Sequence, residues 1–196
     1  MEMPPKPKFT RKEIILAAID ITRKEGFNSI SARVLGKKLG SSSKPIFSVF
    51  ENMEDLQTAV VAYAKETYNQ YMQKGILHAD ENVPRCKCIG QQYIKFAIAE
   101  PKLFQLLFMK EQEHILNFEN ILPNIDMNYK DILIAIETDY GLDSSTALRL
   151  YQHIWIYAHG IASLCATNTC RFSEEEISKM LSEVFTNLLP KEKGHD

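Results

Sequence analysis

The chain has 196 residues, 45 % hydrophobic and 24 % charged, with a formal net charge of −2. That is enough apolar material for one good core or two small ones. The opening MEMPPKPKF has prolines and charges where a signal peptide needs an apolar run, and no segment approaches ~18 uninterrupted apolar residues. A cytoplasmic chain is therefore expected. The small net charge conceals an asymmetry: residues 1–50 hold ten Lys/Arg against four Asp/Glu, and residues 51–196 hold thirteen against twenty-one. A basic front on an acidic body suits a polyanion-binding head, and the alternative is a merely solvated face.

In chain order, Thr10 with Glu13 three residues later predicts a capping box and the start of a first helix. Its apolar stripe is Ile14, Ile15, Ala18, Ile19 and Ile21, and Gly26 ends it. Phe27 and Ile30 are expected to plug a small core. Ser31 caps a brief second helix running to Leu39, with Val34, Leu35 and Leu39 inward and Arg33, Lys37 and Lys38 left for water or phosphate.

Gly40 stops that helix, and any of Ser41, Ser42 and Ser43 can cap the next, as a tight helix-turn-helix over residues 31–50 requires. Lys44-Pro45 falls in its first turn, where a missing N–H is harmless. Ile46, Val49 and Phe50 read as inward. Ser42, Ser43, Lys44, Pro45, Phe47 and Ser48 are then presented outward, toward a DNA major groove.

Asn52, with Asp55 behind it, predicts a long amphipathic helix to about Lys74 along Leu56, Val60, Tyr63, Ala64, Thr67, Tyr71 and Met72, ended by Gly75. Further helices are expected from about Pro84 to Ala99, from Pro101 through Phe108, and from about Pro123 to Tyr140 with Gly141 after it. Residues 144–167 form a strongly apolar helix. Leu150, Tyr157 and Leu164 mark one of its lines, and Ala147, Tyr151, Ile154, Ala158, Ile161 and Cys165 mark another, so two of its sides must be covered. Ser173 and Glu176 predict a second capping box, opening a final helix with the stripe Ile177, Met180, Leu181, Val184, Phe185 and Leu188.

The run Gly26, Ser31, Leu35-Gly36, Gly40-Ser41-Ser42, Phe47-x-x-Phe50 and Met53-x-x-Leu56 resembles, without a gap, the head of the TetR family of bacterial transcriptional regulators. Gly36 stands where that family usually has Ala, Ser41 where it has Val, Phe47 where it has Tyr, and Met53 where it has Lys. The last two positions normally contact DNA phosphates. Farther on, FAIAEPKLFQLLFM (96–109) and WIYAHGIASL (155–164) resemble a subgroup whose regulatory domain carries a Trp–His–Gly signature, matched here by Trp155, His159 and Gly160.

The resemblance implies an all-α protein. Its three-helix DNA-binding head with a helix-turn-helix takes residues 9–55, and a helical ligand-binding and dimerisation body takes 56–190. It also implies a homodimer on a pseudopalindromic double-stranded DNA operator, with repression as the family default and a small-molecule effector that releases it. Ser31, Arg33, Ser42, Ser43, Lys44, Pro45, Phe47, Ser48 and Met53 are the expected DNA-contacting residues. Dimerisation falls on Leu150, Tyr157, Leu164, Ile177, Leu181 and Phe185, with the last two helices pairing with their copies as a four-helix bundle. An apolar effector pocket is assigned to Phe96, Phe104, Leu107, Phe108, Met109, Trp155 and His159, against the simpler reading of each as core. Loss of the Tyr and Lys at 47 and 53 leaves an alternative: a helical adaptor of the same fold with weakened or lost DNA binding.

An enzyme is not expected, since the sequence has no phosphate-binding Gly-rich loop, no HExxH and no nucleophile elbow. Cys86, Cys88, Cys165 and Cys170 lack zinc-site spacing and read as free thiols. On a helix Cys86 and Cys88 point about 200° apart, and His153 and His159 about 120° apart, so neither pair chelates. No metal or cofactor is expected.

Overall fold

The computed structural model describes residues 7–77, 85–111, 114–125 and 129–189. Among them the regular structure is entirely helical: α1 (Arg11–Glu25), α2 (Ala32–Lys38), α3 (Met53–Leu77), α4 (Arg85–Ala99), α5 (Pro101–Phe108), α6 (Ile121–Ile125), α7 (Tyr129–Tyr140), α8 (Ser144–Ala166) and α9 (Glu174–Leu188), with short 3₁₀ turns at Phe27–Ser29 and Phe118–Asn120. Two compact units divide the chain. The first is Met1–Asn69 with Glu100–Lys110, and the second is Gln70–Ala99 with Glu111–Asp196. Residues 9–55 lie wholly within the first.

The helix ends follow from local chemistry. Thr10 Oγ1 accepts the Glu13 N–H at 3.2 Å while the Glu13 carboxylate accepts the Thr10 N–H at 2.7 Å, which satisfies two donors that α1 leaves open. These backbone and hydroxyl bonds from Thr10 hold the Glu13 carboxyl below the ordinary carboxylate range. Ser173 and Glu176 repeat the arrangement at the start of α9. Asn52 Oδ1 accepts the Asp55 N–H at 2.9 Å at the start of α3. Gly26 closes α1 at φ +92°, a value side chains with a Cβ rarely adopt.

One cap was not anticipated. Asp143 opens α8 by accepting the N–H groups of Ser145 (3.0 Å) and Thr146 (3.1 Å) and both of their hydroxyls. The hydroxyl bonds from Ser145 and Thr146 are the main cause that drives its carboxyl far below the ordinary range.

In the first unit, α1 lies against α2, the first 3₁₀ turn and α5. Its core joins Ile14, Ala18 and Ile19 of α1, Leu35 of α2, Ile46 and Phe50 of the following turn, Leu56, Val60 and Ala64 of α3, and Leu103 and Phe104 of α5. Arg23 and Glu100 meet in a forked pair, Nε to Oε2 at 2.9 Å and Nη2 to Oε1 at 2.7 Å, which ties the end of α1 to the residue that opens α5. In the second unit α8 runs along α4, with α7 and α9 each packed on both. Leu181 of α9 packs beside Gly90 of α4, its Cδ1 3.4 Å from where a Cβ at residue 90 would sit.

Two expected boundaries change. α3 continues through Gly75 to Leu77, because a glycine costs a long helix interior only about 1 kcal/mol relative to alanine. The helix expected from about Pro123 to Tyr140 is described as α6, which begins at Ile121, and α7; residues 126–128 lie outside the described residues. Pro84, the expected start of the fourth helix, and the side chain of Cys86 also lie outside them.

Candidate functional site

The basic segment starts at Ser31, whose hydroxyl accepts the Val34 N–H at 3.3 Å and caps α2. The helix buries Leu35 and presents Arg33, Lys37 and Lys38 to solvent. Val34, expected inward, is 36 % exposed, and Leu39 is half-buried. One turn of a seven-residue helix has only a narrow covered face, and Leu35 with Gly36 occupies it.

Beyond α2 the chain reverses at Gly40 (φ +62°), and the Ser41 N–H donates to the Gly36 carbonyl at 2.9 Å. The turn lies so close to α2 that a Cβ at residue 36 would meet Ser41 O at 3.0 Å, Ser42 C at 3.1 Å and Ser42 O at 3.2 Å. Glycine at 36, in place of the alanine of the resembled family, is what permits this approach. Lys8 Nζ, just before α1, reaches Ser41 Oγ at 3.2 Å and joins the same turn.

The second helix of the expected helix-turn-helix does not form as an α-helix. Residues 44–49 are a run of overlapping turns, closed by Ile46 N–H to Ser43 O (3.1 Å), Phe47 N–H to Lys44 O (3.2 Å), Val49 N–H to Ile46 O (3.1 Å) and Phe50 N–H to Ile46 O (3.0 Å). Pro45 has no N–H to offer Ser41, three serines precede it, and the Ser48 hydroxyl bonds the Pro45 carbonyl at 2.7 Å. These features draw the backbone mainly into i to i+3 bonding.

The inward and outward faces follow expectation in part. Ile46 and Phe50 are buried and Val49 half-buried. Ser42, Lys44, Phe47 and Ser48 are exposed, Phe47 by 45 %, while Ser43 and Pro45 are half-buried. Met53, at the first position of α3, is half-buried.

Charge around this face is unevenly engaged. Lys38 Nζ lies 3.4 Å from Asp20. Arg11, a cation the motif reading passed over, sits 4.2 Å above the Phe50 ring and donates to Asp55 at 3.0 Å. Asp55 also accepts the Glu51 N–H, and its carboxyl is lowered first by Arg11 and then by that backbone bond. Arg33, Lys37 and Lys44 have no ion pair among the described residues, so three exposed cations of the segment stand open to an anionic partner.

The residues assigned to an effector pocket divide between the two units. Phe104, Leu107, Phe108 and Met109 belong to the first, where the Phe108 ring meets those of Tyr68 (5.0 Å) and Phe104 (5.1 Å) and Met109 is exposed. Phe96, Trp155 and His159 belong to the second. There Phe96 is buried edge-on to Tyr71, and the Trp155 indole stacks on the His159 imidazole at 4.9 Å. Tyr93, absent from the sequence reading, places its hydroxyl 2.8 Å from His159 Nδ1. Burial pushes the His159 imidazole below its ordinary value.

The dimerisation set also separates. Leu150, Ile177 and Leu181 are buried within the subunit, and Phe185 packs on Tyr140 at 4.8 Å between centroids. Tyr157 is half-buried and Leu164 exposed. Tyr157 lines an open groove of about 540 Å³ between α8 and α9 with His153, Ile156, Glu183, Val184, Asn187 and Leu188. Among the described residues no helix is long and apolar enough to cross a membrane, and no cluster of three or more His, Cys, Asp or Glu is placed to hold a metal ion.

No protein-family model and no curated protein matches the sequence. Solved structures do match. A TetR-like transcriptional regulator from Rhodococcus sp. RHA1 superposes with a TM-score of 0.64 at 10 % identity, over 94 % of this chain and 97 % of its own. The multidrug binding protein EbrR complexed with imidazole gives 0.60 at 16 % identity, over 98 % and 100 %. The fatty acid degradation regulator FadR from Bacillus halodurans gives 0.58 at 17 % identity, over 98 % and 100 %. At these identities the likeness is one of fold, and nearly end to end the chain has the all-helical fold of the TetR-like transcriptional regulators.

Proposed function

We propose that this protein is a DNA-binding transcriptional regulator that acts as a homodimer, holding a pseudopalindromic operator until a small apolar effector releases it. The observation that carries the reading is the face built by Arg33, Lys37 and Lys44 beside the exposed Ser42, Phe47 and Ser48: open cations on a serine-rich turn next to a capped helix. Phosphate neutralisation by such cations supplies sequence-independent affinity, and side chains reaching base edges supply specificity. Two such faces related by a twofold axis would meet successive major grooves about 34 Å apart. The α8–α9 groove supports the twofold partner, since its Ile156, Tyr157, Val184 and Leu188 offer apolar surface on the helices that the family resemblance assigns to pairing.

Release requires differential affinity: an effector shifts the equilibrium only by binding the DNA-incompetent conformation better. The aromatic residues of the second unit, with Tyr93 and His159 as polar partners, suit a small apolar or aromatic molecule. A protein of the same fold is described as a multidrug binding protein in complex with imidazole, which favours an effector of that kind.

A second reading rests on the same face. Phe47 has no hydroxyl, Met53 no charge, and the segment that would enter the groove is a run of turns, so a helical adaptor with weakened DNA binding follows if phosphate contact fails. Fluorescence anisotropy with duplexes from the DNA flanking the protein's own gene separates the two. The regulator binds one duplex far more tightly than its scrambled counterpart, whereas the adaptor treats all alike and weakly.

A further inference from the structure

The end of α8 is shaped by a residue in the left-handed region. Asn168 has φ +56°, so the chain folds back on the helix it has just left. The Asn168 N–H donates to the Cys165 carbonyl at 3.0 Å, and the Leu164 carbonyl accepts both the Thr169 N–H at 2.9 Å and the Cys170 N–H at 3.3 Å. These bonds limit the separation of two cysteines. Cys165 follows Leu164 directly, so the peptide geometry and the 3.3 Å bond leave the Cα atoms of Cys165 and Cys170 no more than about 7.5 Å apart, an upper bound reached only if every link were collinear. Disulfides span Cα separations of about 4.4–6.8 Å.

Both cysteines are half-buried rather than sealed in the core, and both are free thiols. The Cys170 thiol donates to its neighbour's carbonyl, Arg171 O, at 3.8 Å. Burial raises the Cys165 thiol, and the nearby Cys170 charge raises it further, so the two sulfurs lie within each other's electrostatic reach.

We infer that Cys165 and Cys170 are a redox-active pair that closes a reversible intramolecular disulfide across the C-terminal cap of α8 on exposure to a hydroperoxide. Oxidation begins at Cys170, which lies beyond the last residue of α8. Its sulfur attacks the peroxide O–O bond, gaining an OH to become a sulfenic acid, and the remaining alkoxide takes the thiol proton and leaves as the alcohol, or as water from hydrogen peroxide. Cys165 then attacks the sulfenic sulfur. The S–S bond forms, the S–OH bond breaks, and the hydroxide leaves as water with the Cys165 proton. Because burial raises the Cys165 thiol and the thiolate is the attacking form, ring closure accelerates as pH rises. The closed ring pins the Asn168 turn onto the last turn of α8, which also bears the exposed Leu164.

The experiment treats the reduced full chain with stoichiometric hydrogen peroxide, alkylates remaining thiols, and digests with trypsin without reductant. Residues 150–171 form one tryptic peptide that contains both cysteines. The expected product is this peptide lighter by two hydrogen masses and unalkylated, restored to two alkylated thiols by dithiothreitol, and formed severalfold faster at pH 8.5 than at pH 7. Cys165→Ser should block closure and leave a Cys170 sulfenic acid that dimedone captures, while Cys170→Ser should give neither product. The inference is overturned if the peptide keeps both thiols, if its sulfurs pass irreversibly to sulfinic acid, or if the link joins residue 86 or 88 or a second copy of the chain.

Discussion

The phenolic oxygen of Tyr93 lies 2.8 Å from Nδ1 of His159, which joins α4 to α8 by a polar bond inside an aromatic cluster. Tyr93 is 4 % exposed, so neither water nor a mobile side chain readily replaces it there. Tyr93→Phe keeps the ring and removes the hydroxyl. It should lower unfolding free energy by about 1 kcal/mol, read as a lower urea midpoint at unchanged slope. An unchanged midpoint would show that this bond adds nothing to the stability of the second unit.

The same imidazole predicts a pH dependence. Burial lowers the His159 pKa in the folded state below its ordinary 6.5. As pH falls through 6.5 the unfolded chain takes up a proton that the folded chain refuses, so stability falls until the folded-state pKa is reached, and above 6.5 the site contributes no slope. Melting temperature should therefore drop more steeply between pH 7 and 5 in the parent than in His159→Gln. Parallel curves for the two proteins would refute the assignment.

Gly36→Ala tests how tightly the turn is held on α2. Alanine should gain about 1 kcal/mol of helix propensity. Its Cβ would press on backbone atoms of Ser41 and Ser42 at 3.0–3.2 Å, and crowding of that kind costs about 1–3 kcal/mol. A net loss of about 1 kcal/mol is expected in chemical denaturation, together with weaker operator binding as Ser42 and Lys44 are displaced. A stabilised variant would mean that the turn yields freely.

If the basic face grips DNA, its charges should be separable by salt. Lys44→Ala should weaken operator and scrambled duplexes alike, while Arg33→Ala should cost ~1–3 kcal/mol and relax one base preference. Met53→Lys adds a cation at the start of α3 and should steepen the dependence of log K on log salt by ~0.9, and Phe47→Tyr can add one phosphate bond worth ~1.5–3 kcal/mol. An unchanged slope for Met53→Lys in an anisotropy salt series would place residue 53 away from the phosphate backbone.

Dimerisation is best tested at Ile156, which is 46 % exposed on the α8–α9 groove. Ile156→Glu puts a charge into the proposed interface, where burial without a partner costs several kcal/mol, and leaves the subunit core intact. Sedimentation should show monomer with unchanged helical circular dichroism. Phe185 is a poorer probe because its ring already packs on Tyr140. A fully dimeric Ile156→Glu would exclude the groove as the interface.

The features legible in the sequence are those whose causes lie within about one helical turn. Thr10 with Glu13 and Ser173 with Glu176 mark boundaries through bonds to residues three away, Pro101 through an N–H that a first turn does not need, and the glycines at 26, 40 and 141 through their positive φ. The alternation of Ile46 and Phe50 inward with Lys44 and Phe47 outward follows from the same short-range spacing, even though the backbone there makes turns rather than an α-helix. Tertiary structure decided which apolar stripe each neighbour covers. Leu150, Ile177 and Leu181 differ in pattern from Ile156 and Leu188 too little to separate subunit core from open surface, because hydrophobic burial is non-directional and takes whichever partner the topology supplies. It also decided the contacts between distant residues. Tyr93 reaches His159 across 66 positions, and Arg23 reaches Glu100 across 77, because helix packing brings them together and no local spacing encodes the meeting.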